Sequence, residues 1–166
     1  MRRAFSMVEL VIVVVIIGII SAIAIPRFGG MSERAQESRV VGDLATLNKA
    51  VEMYAAEHWG KHPGFNPDGS KASVAEIAAR LVGVTYDDGT IDPSGHFGPY
   101  LRDLPANALN GMRTMRVDGA APGAGTHGWH YDTTIGRISS DVAFEKVLSD
   151  GSKINHLMEI TKKVGL

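Results

Sequence analysis

One apolar run near the N-terminus most constrains what this chain can fold into. From Met7 to Ile25 the sequence reads MVELVIVVVIIGIISAIAI, and Glu9 is the one charged residue in it. A helix from Phe5 to Ile25 is about 31 Å long at about 1.5 Å per residue, close to the roughly 30 Å of bilayer hydrocarbon. A domain of this size could not bury such a run. The run therefore predicts a membrane segment or a cleaved signal.

A cleaved secretory signal would use Arg2 and Arg3 as its basic region and Ala22-Ile23-Ala24 as its peptidase site. Two features argue against it, because Glu9 lies at the head of the apolar run and the helical pattern continues beyond Ala24. A generic single-span anchor explains the length of the run but not Glu9. If the run spans the membrane, Arg2 and Arg3 are expected to place the N-terminus in the cytoplasm and the chain after Pro26 outside.

A helical apolar pattern continues beyond the run. Residues 26–59 are predicted to form an amphipathic continuation of the same helix, which would extend from Phe5 to Trp59 and measure about 80 Å. Pro26, followed by Gly29 and Gly30, predicts a kink. The stripe consists of Val40, Val41, Leu44, Leu47, Val51 and Tyr54.

Residues 60–166 must cover that stripe and are predicted to form a globular head. Ser73 and Glu76 have capping-box spacing and predict a short helix through Val82. The sheet should be antiparallel, and a closing helix is expected near the C-terminus. The fold class is therefore α+β, a long helix packed against a small antiparallel sheet. Strands are predicted at 112–117, 128–131 and 136–139, with the last two joined as a hairpin through 132–135, and the closing helix at 152–164.

Composition excludes several classes of function. The chain has no cysteine, which excludes disulfides, zinc–thiolate sites and thiol catalysis. Its 17 basic and 18 acidic residues give no basic surface for nucleic acid. We find no nucleophile elbow, phosphate loop or acid pair, so an enzyme is not expected, and neither is a cofactor.

Four histidines are the metal candidates that the sequence offers. His58 and His62 have i, i+4 spacing, while His127 and His130 flank Trp129. A metal site needs further ligands and supporting hydrogen bonds, and Pro63 interrupts the helix that would align the first pair. We therefore predict surface or interface histidines and no metal site. Trp129 and Tyr131 alternate with His130, so that one face of this strand is expected in the core.

The N-terminal residues Arg2-Arg3-Ala4-Phe5-Ser6-Met7-Val8-Glu9-Leu10 resemble the class III signal of type IV pilins and type II secretion pseudopilins. That pattern has a short basic leader, a small residue, a phenylalanine, and a glutamate four residues later at the head of an apolar helix. In the head, GPYLRDLP and GWHYDTTIGRISSD are similar to the C-terminal part of major pseudopilins. The resemblance implies a pilin-like fold with a leader at 1–4 and a transmembrane and assembly helix at 5–25.

The resemblance also implies roles for individual residues. A prepilin peptidase would cut between Ala4 and Phe5 and methylate the new amino group of Phe5. Glu9 would serve in subunit docking. The chain departs from the pattern at Ala4, where the family mostly has glycine.

Glu9 has a physical role that does not depend on the family. An acidic side chain inside a bilayer costs about 2.5–3.5 kcal/mol on insertion scales, so it requires a partner. After cleavage, the N-terminal amine of a neighbouring subunit is such a partner, and pairing would set one axial register. The alternative is that Glu9 lies at the headgroup boundary.

The function expected is that of a structural subunit of a type II secretion pseudopilus, a filament that promotes protein export. The alternative is a type IV pilus subunit for adhesion, motility or DNA uptake; a membrane-anchored enzyme or sensor would need a catalytic set that is missing. The subunit should start in the inner membrane with its head in the periplasm, and end in a periplasmic or cell-surface filament. The expected partners are further copies, other minor pilins or pseudopilins, prepilin peptidase, an inner-membrane assembly platform and, before assembly, the lipid bilayer.

Overall fold

The chain folds as an α+β protein whose first element is a long helix. A computed structural model describes residues 6–120, 122–143, 145–147 and 153–155, and for 24–32, 145–147 and 153–155 it describes the backbone alone. The chain divides into two compact units, Met1–Gln36 and Glu37–Leu166. Its elements are α1 (Met7–Glu57), α2 (Val74–Val82), β1 (Met115–Val117), β2 (Ala124–Asp132), β3 (Arg137–Val142), β4 (Glu145–Val147) and β5 (Lys153–Asn155).

The second half of α1 supplies one wall of the core of the second unit. The predicted stripe is confirmed there, because every member is buried except Val41, which is half-buried. Spacings of three and four residues place these side chains on one helix face, and the opposite face is polar. The buried members are Val40, Leu44, Leu47, Val51 and Tyr54.

A hydrogen-bonded turn ends α1. The Gly60 amide donates to the Ala55 carbonyl at 2.8 Å, a bond that spans five residues and closes the last turn. Trp59 precedes it with a φ of 60°. Pro63 follows soon after and could not continue a helix.

The helix α2 begins where the capping-box spacing predicts. The Glu76 amide donates to the Ser73 hydroxyl at 3.3 Å, and the Ser73 amide donates to the Glu76 carboxylate at 2.7 Å. Ile77 and Leu81 on its inner face are fully buried. Local chemistry at the first turn and an apolar face one turn long thus fix this helix.

The main sheet has the order β1-β2-β3, and the predicted hairpin is confirmed. The strands β2 and β3 pair antiparallel, with Tyr131 opposite Ile138, and 133–136 form the turn. Trp129 and Tyr131 are fully buried, as expected of the inner face. His130 on the other face is buried as well, and its ring Nε2 lies 3.2 Å from the Asp118 carbonyl oxygen.

The expectation of an entirely antiparallel sheet was wrong for β1. This strand pairs parallel with β2, so that Met115 lies beside Trp129 and Val117 beside Tyr131. Parallel pairing requires that the chain return to the end where the first strand began. Asp118, with a φ of 50°, and Gly119, with a φ of 82°, turn the chain directly after β1. Residues 122–128 then lead to the part of β2 that pairs with β1.

The C-terminal residues that the structure describes are extended rather than helical. The strands β4 and β5 pair antiparallel as a separate two-stranded sheet. The predicted closing helix at 152–164 was therefore wrong over Lys153–Asn155, where cross-strand hydrogen bonding replaces a helical face. Its remaining residues lie outside the described part of the chain.

Candidate functional site

The start of α1 is fixed by the side chain of Ser6 and by the candidate assembly residue, Glu9. The Ser6 amide donates a hydrogen bond to the Glu9 carboxylate at 2.9 Å, and the Val8 amide donates to the Ser6 hydroxyl at 3.4 Å. Serine at the cap and glutamate three residues later satisfy backbone donors that the helix itself leaves open. Sequence analysis missed this role of Ser6, although the Ser-x-x-Glu spacing at residues 6–9 signals it.

The apolar segment that follows Glu9 exposes its side chains around the whole helix. All residues from Met7 to Ile20 are exposed, and so are Ala22 and Ile23. Val8 is 65% exposed and Ile19 58%. Consecutive exposed residues cover every face of a helix that has about 3.6 residues per turn. So large a contiguous apolar surface marks a site of contact with another apolar phase or partner.

The exposure of apolar side chains does not by itself show that a helix crosses a membrane. Among the residues that the structure describes, no helix has both the length and the apolarity that crossing a bilayer requires.

The structure describes some of the predicted site residues and not others. Ala4 and Phe5, the predicted cleavage and methylation residues, lie outside the described residues. Glu9 lies at the third position of α1, and Pro26 lies within α1. The cleavage, the methylation, the assembly contact and the kink stay predictions.

The expectation of surface or interface histidines was wrong for two of the four, because His58 and His130 are buried within the fold. The His58 ring is stacked on Tyr54 with centroids 3.7 Å apart, its Nδ1 lies 2.7 Å from the Tyr54 carbonyl oxygen and its Nε2 lies 2.9 Å from the Thr85 hydroxyl. Both ring nitrogens are therefore occupied. The His127 Nδ1 lies 3.0 Å from the Thr126 hydroxyl. Within the described ranges, no three histidine or acidic side chains are grouped so that they could hold a metal ion.

Acidic side chains in the head are engaged in holding loops. Asp118 accepts hydrogen bonds from the Thr133 amide at 2.8 Å and from the Lys71 ammonium at 2.5 Å. These donors hold the pKa of the Asp118 carboxyl at about 2. Asp141 is fully buried and pairs with Arg116 at 2.6 Å, which holds its pKa below the usual value despite burial. Both carboxylates thus join strands and loops.

An open groove on the second unit lies beside α1 and the β2–β3 turn. It has a volume of about 380 Å³. The His62 ring packs closely over Gly136, where a side chain would collide with it. The groove is lined by Asn48, Glu52, His62, Ile135, Gly136 and Arg137.

Comparison with known proteins gives consistent similarities. Residues 1–25 match the family described as the prokaryotic N-terminal methylation motif. The chain is 32% identical to fimbrial protein Q of Moraxella bovis over 145 residues, which cover 86% of this chain and 74% of the relative. It is 39% identical to the type IV major alpha-pilin of Moraxella bovis over 114 residues, covering 69% and 66% of the two chains.

A secretion protein is similar as well. The chain is 29% identical to type II secretion system core protein G of Klebsiella pneumoniae over 104 residues, which cover 63% of this chain and 66% of the relative. It covers smaller shares, 39% and 48%, of core protein G of Escherichia coli and of a fimbrial protein of Neisseria meningitidis. No solved structure matches the chain.

Proposed function

The chain belongs to the type IV pilin and pseudopilin family, and on this premise we propose that it is a structural subunit of a type II secretion pseudopilus. Subunits assemble through their N-terminal helices into a filament that promotes protein export. The proposal assigns the chain no catalytic role, since the named relatives are filament and secretion-system proteins.

The observation that carries this proposal is the apolar surface of α1 between Met7 and Ile23, which is exposed on every face. Burying apolar surface lowers the free energy by about 25 cal/mol per Å². This segment is therefore stabilised by insertion into lipid, and also by packing between neighbouring helices. Before assembly, residues 5–25 lie in the inner membrane with the head in the periplasm. After assembly, the same residues lie in the filament interior.

Glu9 gives the packing a direction that Val, Ile and Leu cannot supply. In the described chain the carboxylate is bonded to the Ser6 amide. We place the leader cleavage by prepilin peptidase between Ala4 and Phe5, which creates a methylated amine at Phe5. That amine, on a neighbouring subunit, is the cationic partner for Glu9 and sets the axial register. Other minor pilins or pseudopilins and an inner-membrane assembly platform complete the partners.

Two features favour a secretion pseudopilus. The chain has no cysteine, and therefore lacks the disulfide loop of many adhesive pilins. It is also similar to core protein G of several secretion systems. A type IV pilus subunit is the second candidate, because the match to fimbrial protein Q covers the larger share of this chain.

Deleting the gene in the native host distinguishes these candidates. The pseudopilus proposal expects exported proteins to accumulate in the periplasm, and expects no long fibre of this chain on sheared wild-type cells. Long surface fibres together with unchanged export would contradict it and support the pilus candidate.

Intact-mass analysis of the native protein should show a start at methylated Phe5. A start at Ile25 would contradict filament assembly altogether, because the apolar segment would be gone.

A further inference from the structure

Asn110 and Gly111 form a chemically reactive pair in the loop of residues 107–112. They are the one Asn–Gly pair in the sequence. In a flexible chain, the amide nitrogen that follows an asparagine can attack the side-chain Cγ, and glycine hinders this attack least because it has no Cβ. The product is a cyclic imide, which water opens to aspartate or isoaspartate. Whether this pair reacts therefore depends on the freedom of the loop that carries it.

Hydrogen bonds hold each reacting group of the pair. The attacking amide, that of Gly111, donates to the Asn107 carbonyl at 2.7 Å. The Asn110 carboxamide is bonded at both ends, since its Oδ1 accepts from the Met112 amide at 3.0 Å and its Nδ2 donates to the His127 carbonyl at 2.9 Å. Attack on Cγ requires that the amide lose its proton and that the carboxamide turn. These bonds therefore oppose the reaction.

The loop is anchored to the main sheet through Asn107, which is fully buried. The Asn107 Nδ2 donates to the Gly128 carbonyl at 2.8 Å and to the Ser140 hydroxyl at 3.0 Å. Its backbone amide donates to the Met112 carbonyl at 2.9 Å, which closes the loop. That carbonyl also packs so closely on Gly128 that a side chain there would collide with it. Opening the loop thus requires that several contacts with β2 and β3 break together.

We propose that Asn110–Gly111 is a latent site of spontaneous deamidation, which these contacts hold unreactive in the folded head and which reacts when the loop opens. In the open loop, the Gly111 nitrogen gives its proton to a solvent base and bonds to the Asn110 Cγ. The bond from Cγ to Nδ2 breaks, and Nδ2 takes up a proton and leaves as ammonia. Water then breaks one of the two imide C–N bonds, at Cγ to give aspartate or at the backbone carbonyl carbon to give isoaspartate. One water is consumed and one ammonia is released, with no oxidation or reduction.

Either product weakens the loop in which it forms. A carboxylate replaces the amide group that donates to the His127 carbonyl, so that one acceptor faces another. An isoaspartate also lengthens the backbone between Asn107 and Met112, whose hydrogen bond closes the loop. A loop that has opened and reacted therefore does not regain its original contacts. The inference goes beyond the proposed function, because it concerns the folded head alone.

Peptide mapping of the detergent-purified full chain by mass spectrometry tests the proposal. The rate of deamidation at Asn110 is measured in native buffer and in guanidinium chloride, at the same pH and temperature. We expect the native rate to be lower on the order of tenfold or more, because only molecules with an open loop react. The slowing should be at least as large as that of hydrogen exchange at the Gly111 amide, since both processes break the bond to Asn107. Asn66 is the internal control, because Pro67 after it has no N–H to attack with.

Two variants separate the contacts from the chemistry. Asn107→Ala removes the side chain that anchors the loop, and Ser140→Ala, a milder change, removes one acceptor of that side chain. Each should raise the native rate several-fold and leave the rate in guanidinium chloride unchanged. Thermal unfolding shows whether each variant is folded, and Ser140→Ala carries the test where Asn107→Ala is not. Thr46→Ala, on the exposed face of α1, is the matched control and should change neither rate.

The outcomes bear on separate parts of the proposal. Equal rates in native buffer and in guanidinium chloride would overturn the protection by the loop. A rate at Asn110 in guanidinium chloride no higher than that at Asn66 would overturn the reactive site. An unchanged native rate in the folded variants would overturn the anchoring through Asn107. A chain that deamidates as expected but forms no filament would contradict the proposed function and leave this inference standing.

Discussion

Asn48 joins α1 to the edge of the sheet through its side-chain amide. The amide nitrogen donates to the Ile138 carbonyl at 2.9 Å, and the Ile138 amide donates to the Asn48 oxygen at 2.9 Å. The carboxamide thus takes the place of a further strand beside β3. An edge strand leaves backbone donors and acceptors open, and here one buried residue satisfies a pair of them.

Replacing Asn48 with alanine should lower the free energy of unfolding by about 2–4 kcal/mol. The substitution leaves the amide and carbonyl of Ile138 buried without partners, and each costs about 1–3 kcal/mol. Thermal or denaturant unfolding measures the loss. Thr46→Ala, on the exposed side of the same helix, is the control and should change stability by no more than about 0.5 kcal/mol. Equal losses of stability for Asn48→Ala and Thr46→Ala would contradict the proposal that Asn48 satisfies the open edge of β3.

Asp118 should make the stability of the head sensitive to acid. Its pKa is lowered to about 2 by hydrogen bonds from Lys71 and Thr133, whereas the unfolded carboxyl titrates near 3.8. A lowered pKa contributes stability that is fully present above about pH 4 and is lost as the pH falls towards 2. Asp118→Asn should therefore be less stable than the wild type at pH 7, with a difference that shrinks between pH 4 and pH 2. A difference that is constant over this window would contradict the ionic contribution.

The amphipathic half of α1 carries much of the core, and Leu47 lies at its centre with no exposed surface. Leu47→Ala in the detergent-purified full chain should reduce the free energy of unfolding by about 2–4 kcal/mol, because it leaves a cavity. Lys49→Ala, two residues away on the exposed face, should have little effect. A negligible loss for Leu47→Ala would contradict the contribution of this helix face to the core of the head.

Elements with local signals could be predicted from the sequence. The stripe of α1, the capping box of α2 and the β2–β3 hairpin each follow from residues close together in the chain. The parallel pairing of β1 could not be predicted, because no residue near Met115 indicates with which edge of β2 the strand will pair. The same holds for Asn48, whose partner Ile138 is 90 residues away. The Ser6 cap was within reach of sequence reasoning, since its spacing to Glu9 is a known signal.

At the scale of the whole molecule, the exposed apolar segment Met7–Ile23 and the folded core belong to different stretches of chain. The core residues lie between Val40 and Ile138, within the unit Glu37–Leu166. A truncated chain that starts at Ser32 should therefore fold as a soluble monomer, because the exposed apolar segment is removed and the core is retained. Sedimentation and thermal unfolding check this. Aggregation, or a non-cooperative transition, would show that the head needs the first unit in order to fold.

The most direct test of filament assembly through the N-terminal helix is the co-expression of wild-type and Glu9→Val subunits. The substitution removes a costly carboxylate from lipid, so insertion into the membrane should be unchanged or improved. It also removes the anionic partner that we propose for the amine of a neighbouring subunit, and Glu9→Gln, which keeps the size, should behave in the same way. The ratio of mutant to wild type is measured by mass spectrometry in purified filaments and in the membrane pool. We expect the mutant to be clearly under-represented in filaments, and incorporation in proportion to abundance would contradict the assembly role of Glu9.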